Sequence, residues 1–389
     1  MTIVEEGNEH EPRRMTGGER TSSSGAYTYT TSYVTLRGTQ CYRHIWEPSQ
    51  SHDKDNDKNS TKSETKTKTS TSNGLVVLYH GFLAHGAYPT VRYAAEFFAA
   101  AHFGNYTVVS YDLPGHGLSA GLAGYLPSAE ELIALGVAMV EDARQSTEEP
   151  DPDRPLILCG SSMGGTIALA VAHTVTQQQQ GAAAAASTAS STSTSKPPPM
   201  KPPLVILLAP MLQLKVSSLE RFGLQCLARV APTMKLIPST ATDLTQQYRD
   251  AHKRQECADD TAQVAAAAQA ALLSVSASES TTTTTCTDSI ISTDAANNKK
   301  IRVGSALTCV DLTWHIAAES DKITVPYLLL VADDDVVVQN TGAEYFHTHN
   351  AATDRTLVHY PALHGLLCEP APLFATIQTD ILQWLAQRV

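Results

Sequence analysis

Short, almost wholly apolar runs recur along the chain, separated by longer stretches in which apolar residues return every three or four positions. Leu75-Val76-Val77-Leu78-Tyr79 is the first such run; Tyr106 to Tyr111, Pro155 to Cys159, Leu204 to Leu208, Tyr327 to Val331 and Thr356 to Tyr360 follow. Runs of this length without polar alternation read as strands buried on both faces. Helical spacing covers Pro89 to His102, Ser128 to Ser146 and Pro372 to Gln387, and Ile167, Ala168, Val171 and Ala172 predict a further helix after Gly160. Strands alternating with helices imply a mostly parallel central sheet flanked by helices, an α/β fold. Ahead of it, Ala26 to Leu36 and Gln40 to Trp46 are rich in β-formers and flank Arg37-Gly38, which predicts an antiparallel hairpin at one edge.

This pattern is interrupted. Residues 1–25 are polar and glycine-rich and are expected to form a disordered tail, leaving 26–389 as one α/β domain. Low-complexity insertions at about 49–73, 177–203 and 258–298 read as surface loops. The segment from Pro210 to Lys322 precedes the Tyr327 strand and reads as a helical cap at about 210–322, with helical spacing in Leu212 to Val230 and Ile301 to Ile316. One reading makes it a subdomain with an ordinary core. The other makes it a lid whose apolar residues, Leu219, Phe222, Leu224, Leu227 and Val230 among them, line an acyl-chain tunnel and meet a lipid surface.

Charge and composition remove several function classes. A net charge of -11 argues against a nucleic-acid partner, which would want a basic face. No run reaches the roughly 18 apolar residues of a membrane span. The start, Met1 to Gly7, is acidic and lacks the apolar core of a secretory signal. Seven cysteines without C-x-x-C spacing suggest reduced thiols, with neither a disulfide framework nor a zinc site. A soluble cytoplasmic protein is expected, its cap able to make peripheral membrane contact.

The candidate chemistry centres on Gly160-Ser161-Ser162-Met163-Gly164, between the Pro155 strand and the helix that follows. A strand–turn–helix with G-x-S-x-G is a nucleophile elbow. The turn is too tight for a β-carbon at either glycine, and it lifts the serine hydroxyl to a helix N-terminus where N–H groups can hold an oxyanion. Ser161 is a competing hydroxyl, but only Ser162 has glycine at both flanking positions. A serine needs a base, and the base an orienting carboxylate, in the chain order serine, acid, histidine. Downstream lie His173, His252, His315, His347, His349, His359 and His364; only His364 occupies a loop after a late apolar strand. After the Tyr327 strand come Asp333, Asp334 and Asp335; pattern favours Asp335, which precedes Val336-Val337, with Asp334 second. The oxyanion donors are expected at the N–H groups of Met163 and of Phe82, in His80-Gly81-Phe82 after the first parallel strand. His80 lies upstream of the serine and is expected to shape that loop.

With these stretches assembled, the chain resembles the monoacylglycerol lipases and lysophospholipase-like serine hydrolases of the α/β-hydrolase superfamily. The resemblance rests on Trp46-Glu47-Pro48, His80-Gly81-Phe82-x-x-His85, Asp112-Leu113-Pro114-Gly115-His116-Gly117-Leu118-Ser119, Gly160 to Gly165, Ala332 to Val337 and Leu363 to Pro370. It covers about Tyr27 to Leu385 outside the insertions. It implies an α/β-hydrolase fold with a mobile helical cap inserted before the acid-bearing strand, a triad of Ser162, Asp335 and His364, an oxyanion hole of Phe82 and Met163, and no cofactor or metal. It implies hydrolysis of monoacylglycerol to fatty acid and glycerol. Three departures qualify it: Ser161 where the family usually has histidine, Ala332 for a common glycine, and a cap that matches poorly between Pro238 and Lys299. A lysophospholipase, a short-chain carboxylesterase, an acyltransferase and a catalytically silent lipid-binding module are the competing readings.

Overall fold

The computed structural model describes residues 19–21, 25–49, 72–100, 102–146, 154–189, 201–239, 243–261, 263–264 and 300–389. Most of the first and third insertions, and most of the N-terminal tail, lie outside these residues. Eleven strands occur among them: β1 Glu19–Thr21, β2 Tyr27–Leu36, β3 Thr39–Pro48, β4 Leu75–Tyr79, β5 Thr107–Tyr111, β6 Leu156–Ser161, β7 Leu204–Leu208, β8 Lys235–Pro238, β9 Lys300–Arg302, β10 Tyr327–Ala332 and β11 Arg355–Tyr360. The helices are α1 Pro89–Ala99, α2 Ala129–Gln145, α3 Met163–Ala189, α4 Ser218–Val230, α5 Leu244–Gln247, α6 over 251–261, α7 Val303–Glu319, α8 Asn340–His349 and α9 Ala371–Ala386.

Nine strands form one sheet in the order β1-β2-β3-β5-β4-β6-β7-β10-β11. From β5 to β11 every pairing is parallel, while β1, β2 and β3 add an antiparallel edge. The expected α/β-hydrolase fold, a mostly parallel sheet flanked by helices, is what the chain adopts. Arg37 and Gly38 both have positive φ (50° and 79°), the requirement of a two-residue turn whose twist matches the β2–β3 hairpin.

Each buried strand feeds two cores because successive side chains point to opposite faces. In β4, Leu75, Val77 and Tyr79 face a core with α2, α3, α7 and α8, while Val76 and Leu78 face one with α1 and α9. β10 divides in the same way, Tyr327, Leu329 and Val331 against Leu328, Leu330 and Ala332. The chain passes from β4 to β5 on one side, then crosses back through α2 to β6 on the other. That reversal opens a crevice at the carboxyl ends of β4 and β6, the place where such sheets bind ligands.

Several elements differ from the sequence reading. The tract expected as a loop from Gln177 instead carries α3 on to Ala189, because glutamine and alanine favour helix once a packed turn has nucleated it. Glu19–Thr21, placed in the disordered tail, pair with β2. The first cap helix starts at Ser218, with a reciprocal cap between Ser217 and Glu220, and none of its residues is buried. Ile301 and Arg302, expected as helix, are in β9, which pairs with β8. The helix that follows, α7, is a core element: Cys309, Leu312 and Ile316 belong to the same cluster as α2 and α3.

Candidate active site

Ser162 stands alone between β6 and α3, with φ of 56°. A non-glycine residue costs roughly 1–2 kcal/mol there, so the surroundings must hold it. Its N–H donates to Leu208 O (3.0 Å), and its carbonyl accepts from Met211 N (3.0 Å) and Gly165 N (3.1 Å). A β-carbon on Gly160 would lie 2.2 Å from Gly164 O, and one on Gly164 2.0 Å from Tyr79 O. Both glycines are therefore obligatory at this crossing. Ser161 is the last residue of β6, in register with Leu208, and is not at the elbow. Met163 is the first residue of α3, so its N–H is among those the helix leaves unpaired at its positive end.

The second oxyanion candidate lies beside the serine. Ala84 N–H donates to Gly81 O (3.2 Å), closing a turn with Leu83 at φ of 63° and placing Phe82 at its second position. A β-carbon on Gly81 would be 3.4 Å from Ser162 Cβ, so this turn runs against the elbow.

Buried polar side chains hold the turn from below. His80 Nε2 accepts from Leu113 N–H (2.9 Å), which puts its proton on Nδ1, donated to Gly81 O (2.7 Å). Burial, with His116 nearby, pushes this imidazole down to about 3, so it stays neutral and cannot serve as a base at neutral pH. The expectation that His80 shapes the loop fits this geometry. Asp112 Oδ1 accepts from Gly86 N–H (2.6 Å) and Oδ2 from Leu118 N–H (2.8 Å). His44 Nε2 lies 2.9 Å from Asp112 Oδ1 and its Nδ1 2.7 Å from Tyr29 Oη. Burial alone would raise the Asp112 carboxyl, but His44, by charge and hydrogen bond, together with His85 and the Leu118 N–H, holds the group below the usual carboxylate range. No local pattern shows that His44 reaches Asp112, because the partners are 68 positions apart.

Neutral His80 makes stability depend on pH with a definite sign. The unfolded chain takes up a proton near the ordinary imidazole value of 6.5 that the folded chain refuses until about 3. Stability from this group is therefore complete above pH 6.5 and falls by about 1.4 kcal/mol per unit below it. The stability lost between pH 7 and pH 5, read by guanidinium unfolding, should be smaller by about 2 kcal/mol in His80→Gln than in the unmodified protein. His116, lowered by burial, adds in the same direction. An unchanged pH slope in the variant would refute this account.

The acid and base candidates come from the last two strands. His364 follows β11 and is buried; its Nδ1 lies 2.7 Å from Asp335 Oδ2. Asp335 has no exposed side-chain surface, and its Oδ1 accepts from Val337 N (2.8 Å) and Val338 N (3.0 Å). The other two aspartates face outward, Asp334 on Arg249 (2.8 Å) and Asp333 on His359 (2.8 Å). The remaining histidines are committed elsewhere: His173 and His315 on α3 and α7, His252 on α6, His347 and His349 on α8. The carboxylate takes Nδ1 of His364 and leaves Nε2 to other contacts; His364 follows β11 and Ser162 follows β6, parallel strands of one sheet, so both lie beyond its carboxyl edge.

The sequence reading missed Glu369 as more than part of a motif. Its side chain is 1% exposed, and its Oε1 accepts from Leu363 N–H (2.7 Å) directly before His364.

Comparison with known proteins bears on the fold and the family. A monoacylglycerol lipase from Paleococcus ferrophilus superimposes with a TM-score of 0.53 at 19% identity, over 82% of this chain and 96% of that one. A soluble variant of monoglyceride lipase from Saccharomyces cerevisiae, in complex with a substrate analog, gives 0.60 at 16% identity, over 92% and 94%. At these identities the likeness is one of fold. The search of curated protein sequences gives no match. The family model for serine aminopeptidase, S33, matches residues 70–204 and 186–371, a span that holds the Gly81–Ala84 turn, the elbow and the loops of Asp335 and His364. The chain therefore belongs to the serine aminopeptidase, S33 family of hydrolases.

Proposed function

We propose that the protein is a serine ester hydrolase that cleaves monoacylglycerol to fatty acid and glycerol through an acyl-enzyme on Ser162. One observation carries the catalytic part. A serine in a left-handed conformation stands at a helix N-terminus, and an imidazole bonded to a buried carboxylate stands at the same edge of the sheet. His364 Nε2 takes the Ser162 proton as Oγ attacks the ester carbonyl, while Asp335 holds the tautomer and steadies the imidazolium. The N–H groups of Met163 and Phe82 receive the tetrahedral oxyanion. The imidazolium then protonates the departing glycerol oxygen. Water repeats the sequence on the acyl-enzyme and frees the fatty acid and Ser162.

The substrate class rests on less. Leu219, Phe222 and Val230 of α4 are exposed, Leu219 at 79%, which suits contact with aggregated lipid. No helix among the described residues is long and apolar enough to cross a membrane. The fold likeness to two monoacylglycerol lipases points the same way.

Product release from a panel tests the reading: monoacylglycerols, lysophosphatidylcholine, triacylglycerol, a short-chain ester, and an aminoacyl anilide because the family is described as aminopeptidases. Release mainly from monoacylglycerol is expected. Release mainly from another member would keep the catalytic machinery and replace the substrate. No release, with no labelling by a fluorophosphonate, would favour a silent lipid-binding module.

A further inference from the structure

The segment from Asp243 to 261 falls within the stretch that the sequence marks as a cap, where a lid would be expected to swing. Its contacts are those of a clamp. Gly365 N–H, directly after His364, donates to Gln247 O (2.9 Å). A β-carbon on Gly365 would lie 2.3 Å from the Tyr248 ring, so loop and segment meet without a gap. Lys253 Nζ donates to Glu369 O (3.0 Å) and Leu367 O (3.3 Å), holding the 3₁₀ turn Leu366–Cys368 that follows His364. The Lys253 ammonium also sits over the rings of Phe374 (4.3 Å) and Tyr93 (4.8 Å). Cys257 and Tyr248 pack against Cys368 of the same turn. The clamp is itself moored to the other half of the site, through Glu256 to Arg92 and Tyr93 and through Asp260 to His85.

Glu369 completes the arrangement from inside. Its buried carboxylate takes the Leu363 N–H, and its second oxygen has Arg249 Nε 3.7 Å away as its nearest charged neighbour. The backbone is thus pinned at residue 363 by Glu369, at 365 by Gln247, and at 367 and 369 by Lys253. His364 is the residue these four bonds enclose.

We propose that Lys253 and Glu369 are positioning residues for the reaction at His364, and that 243–261 is a fixed strap setting the height of the base rather than a moving lid. The inference rests on the reading of His364 as the general base. Neither residue touches substrate in this scheme, so their loss acts on the chemical step. Misplacing a reacting group by about 1 Å costs up to about a hundredfold in rate. Removing Lys253 leaves two carbonyls without their donor, which the loop relieves by shifting.

The experiment compares Lys253→Met, Lys253→Arg, Glu369→Leu and Glu369→Gln with the unmodified protein. It measures kcat and KM for ester hydrolysis, the rate of fluorophosphonate labelling, thermal unfolding, and the low-field proton resonance of His364 Nδ1–H on Asp335. Lys253→Met should lower kcat by about ten- to a hundredfold with KM within about twofold, and slow labelling to match. Lys253→Arg, still a donor, should recover most of the rate. Glu369→Gln, still an acceptor for Leu363 N–H, should exceed Glu369→Leu. Should the leucine variant not fold, the Lys253 pair decides. A methionine variant with unchanged kcat, a loss carried by KM, or an arginine variant as impaired as methionine would each overturn the proposal. If the unmodified protein cleaves no ester, the functional reading fails separately. The resonance then decides the positioning role: displacement in Lys253→Met upholds it, and an unmoved signal overturns it.

Discussion

Ser162→Ala should lower ester turnover by about a millionfold, the loss typical when a nucleophilic serine is removed from its triad. What remains would be the modest catalysis of the oxyanion donors and of binding. The fold should survive, because alanine at φ of 56° bears a strain similar to that of serine, and the bonds pinning residue 162 are all backbone bonds to Leu208, Met211 and Gly165. Ser161→Ala is the informative partner. It ends β6 beside Leu208, and its loss should leave kcat within a few-fold of the original. Intact-protein mass spectrometry after fluorophosphonate treatment reads the same distinction without turnover: the adduct forms in Ser161→Ala and is absent from Ser162→Ala. Activity persisting in Ser162→Ala would refute the elbow as the catalytic centre.

Asp335→Asn should lower kcat about ten-thousandfold, whereas Asp334→Asn should leave it within about twofold. Asp335 uses both oxygens as acceptors, one for His364 Nδ1 and one for the N–H groups of Val337 and Val338. An amide must turn a donor toward one of them. Facing His364, it favours the tautomer with its proton on Nε2, which cannot accept from the serine. Asp334 is 57% exposed, and its partner Arg249 44%, so their pair adds little. A pH-independent loss in Asp335→Asn with normal substrate binding is the expected kinetic signature. The reverse pattern between the two variants would move the acid to Asp334.

The legible parts of this molecule were those whose physics is local. Leu75 to Tyr79 announces a doubly buried strand by its lack of alternation, and Gly160 and Gly164 announce the elbow because no other residue fits against Tyr79 and Gly164 carbonyls. Among three consecutive aspartates, pattern favoured Asp335 over Asp334, but nothing local to the chain explains why it is the one that turns inward. That depends on the Val337 and Val338 N–H groups being free to receive Asp335, a fact of the tertiary turn. The strap over 243–261 was the least legible feature. Gln247, Lys253 and Glu256 are ordinary surface residue types in a polar stretch, and they act through partners more than a hundred positions away. The Gln/Ala tract misled in the opposite direction: low complexity suggested a loop, yet its glutamines and alanines favour the helix that α3 had already begun.

The sheet order also governs when the protein can first act during its own synthesis. The elbow is complete once β4, β6 and α3 have formed, but the β10 and β11 loops follow much later, His364 lying 202 residues (364 − 162) beyond Ser162. At about 5–20 residues per second, a ribosome takes about 10–40 seconds to cover that distance. Through that interval the nascent chain carries a strained serine with no base to activate it. On the proposed mechanism, a centre assembled from its two ends in this way is silent on the ribosome and switches on only after the closing strands dock.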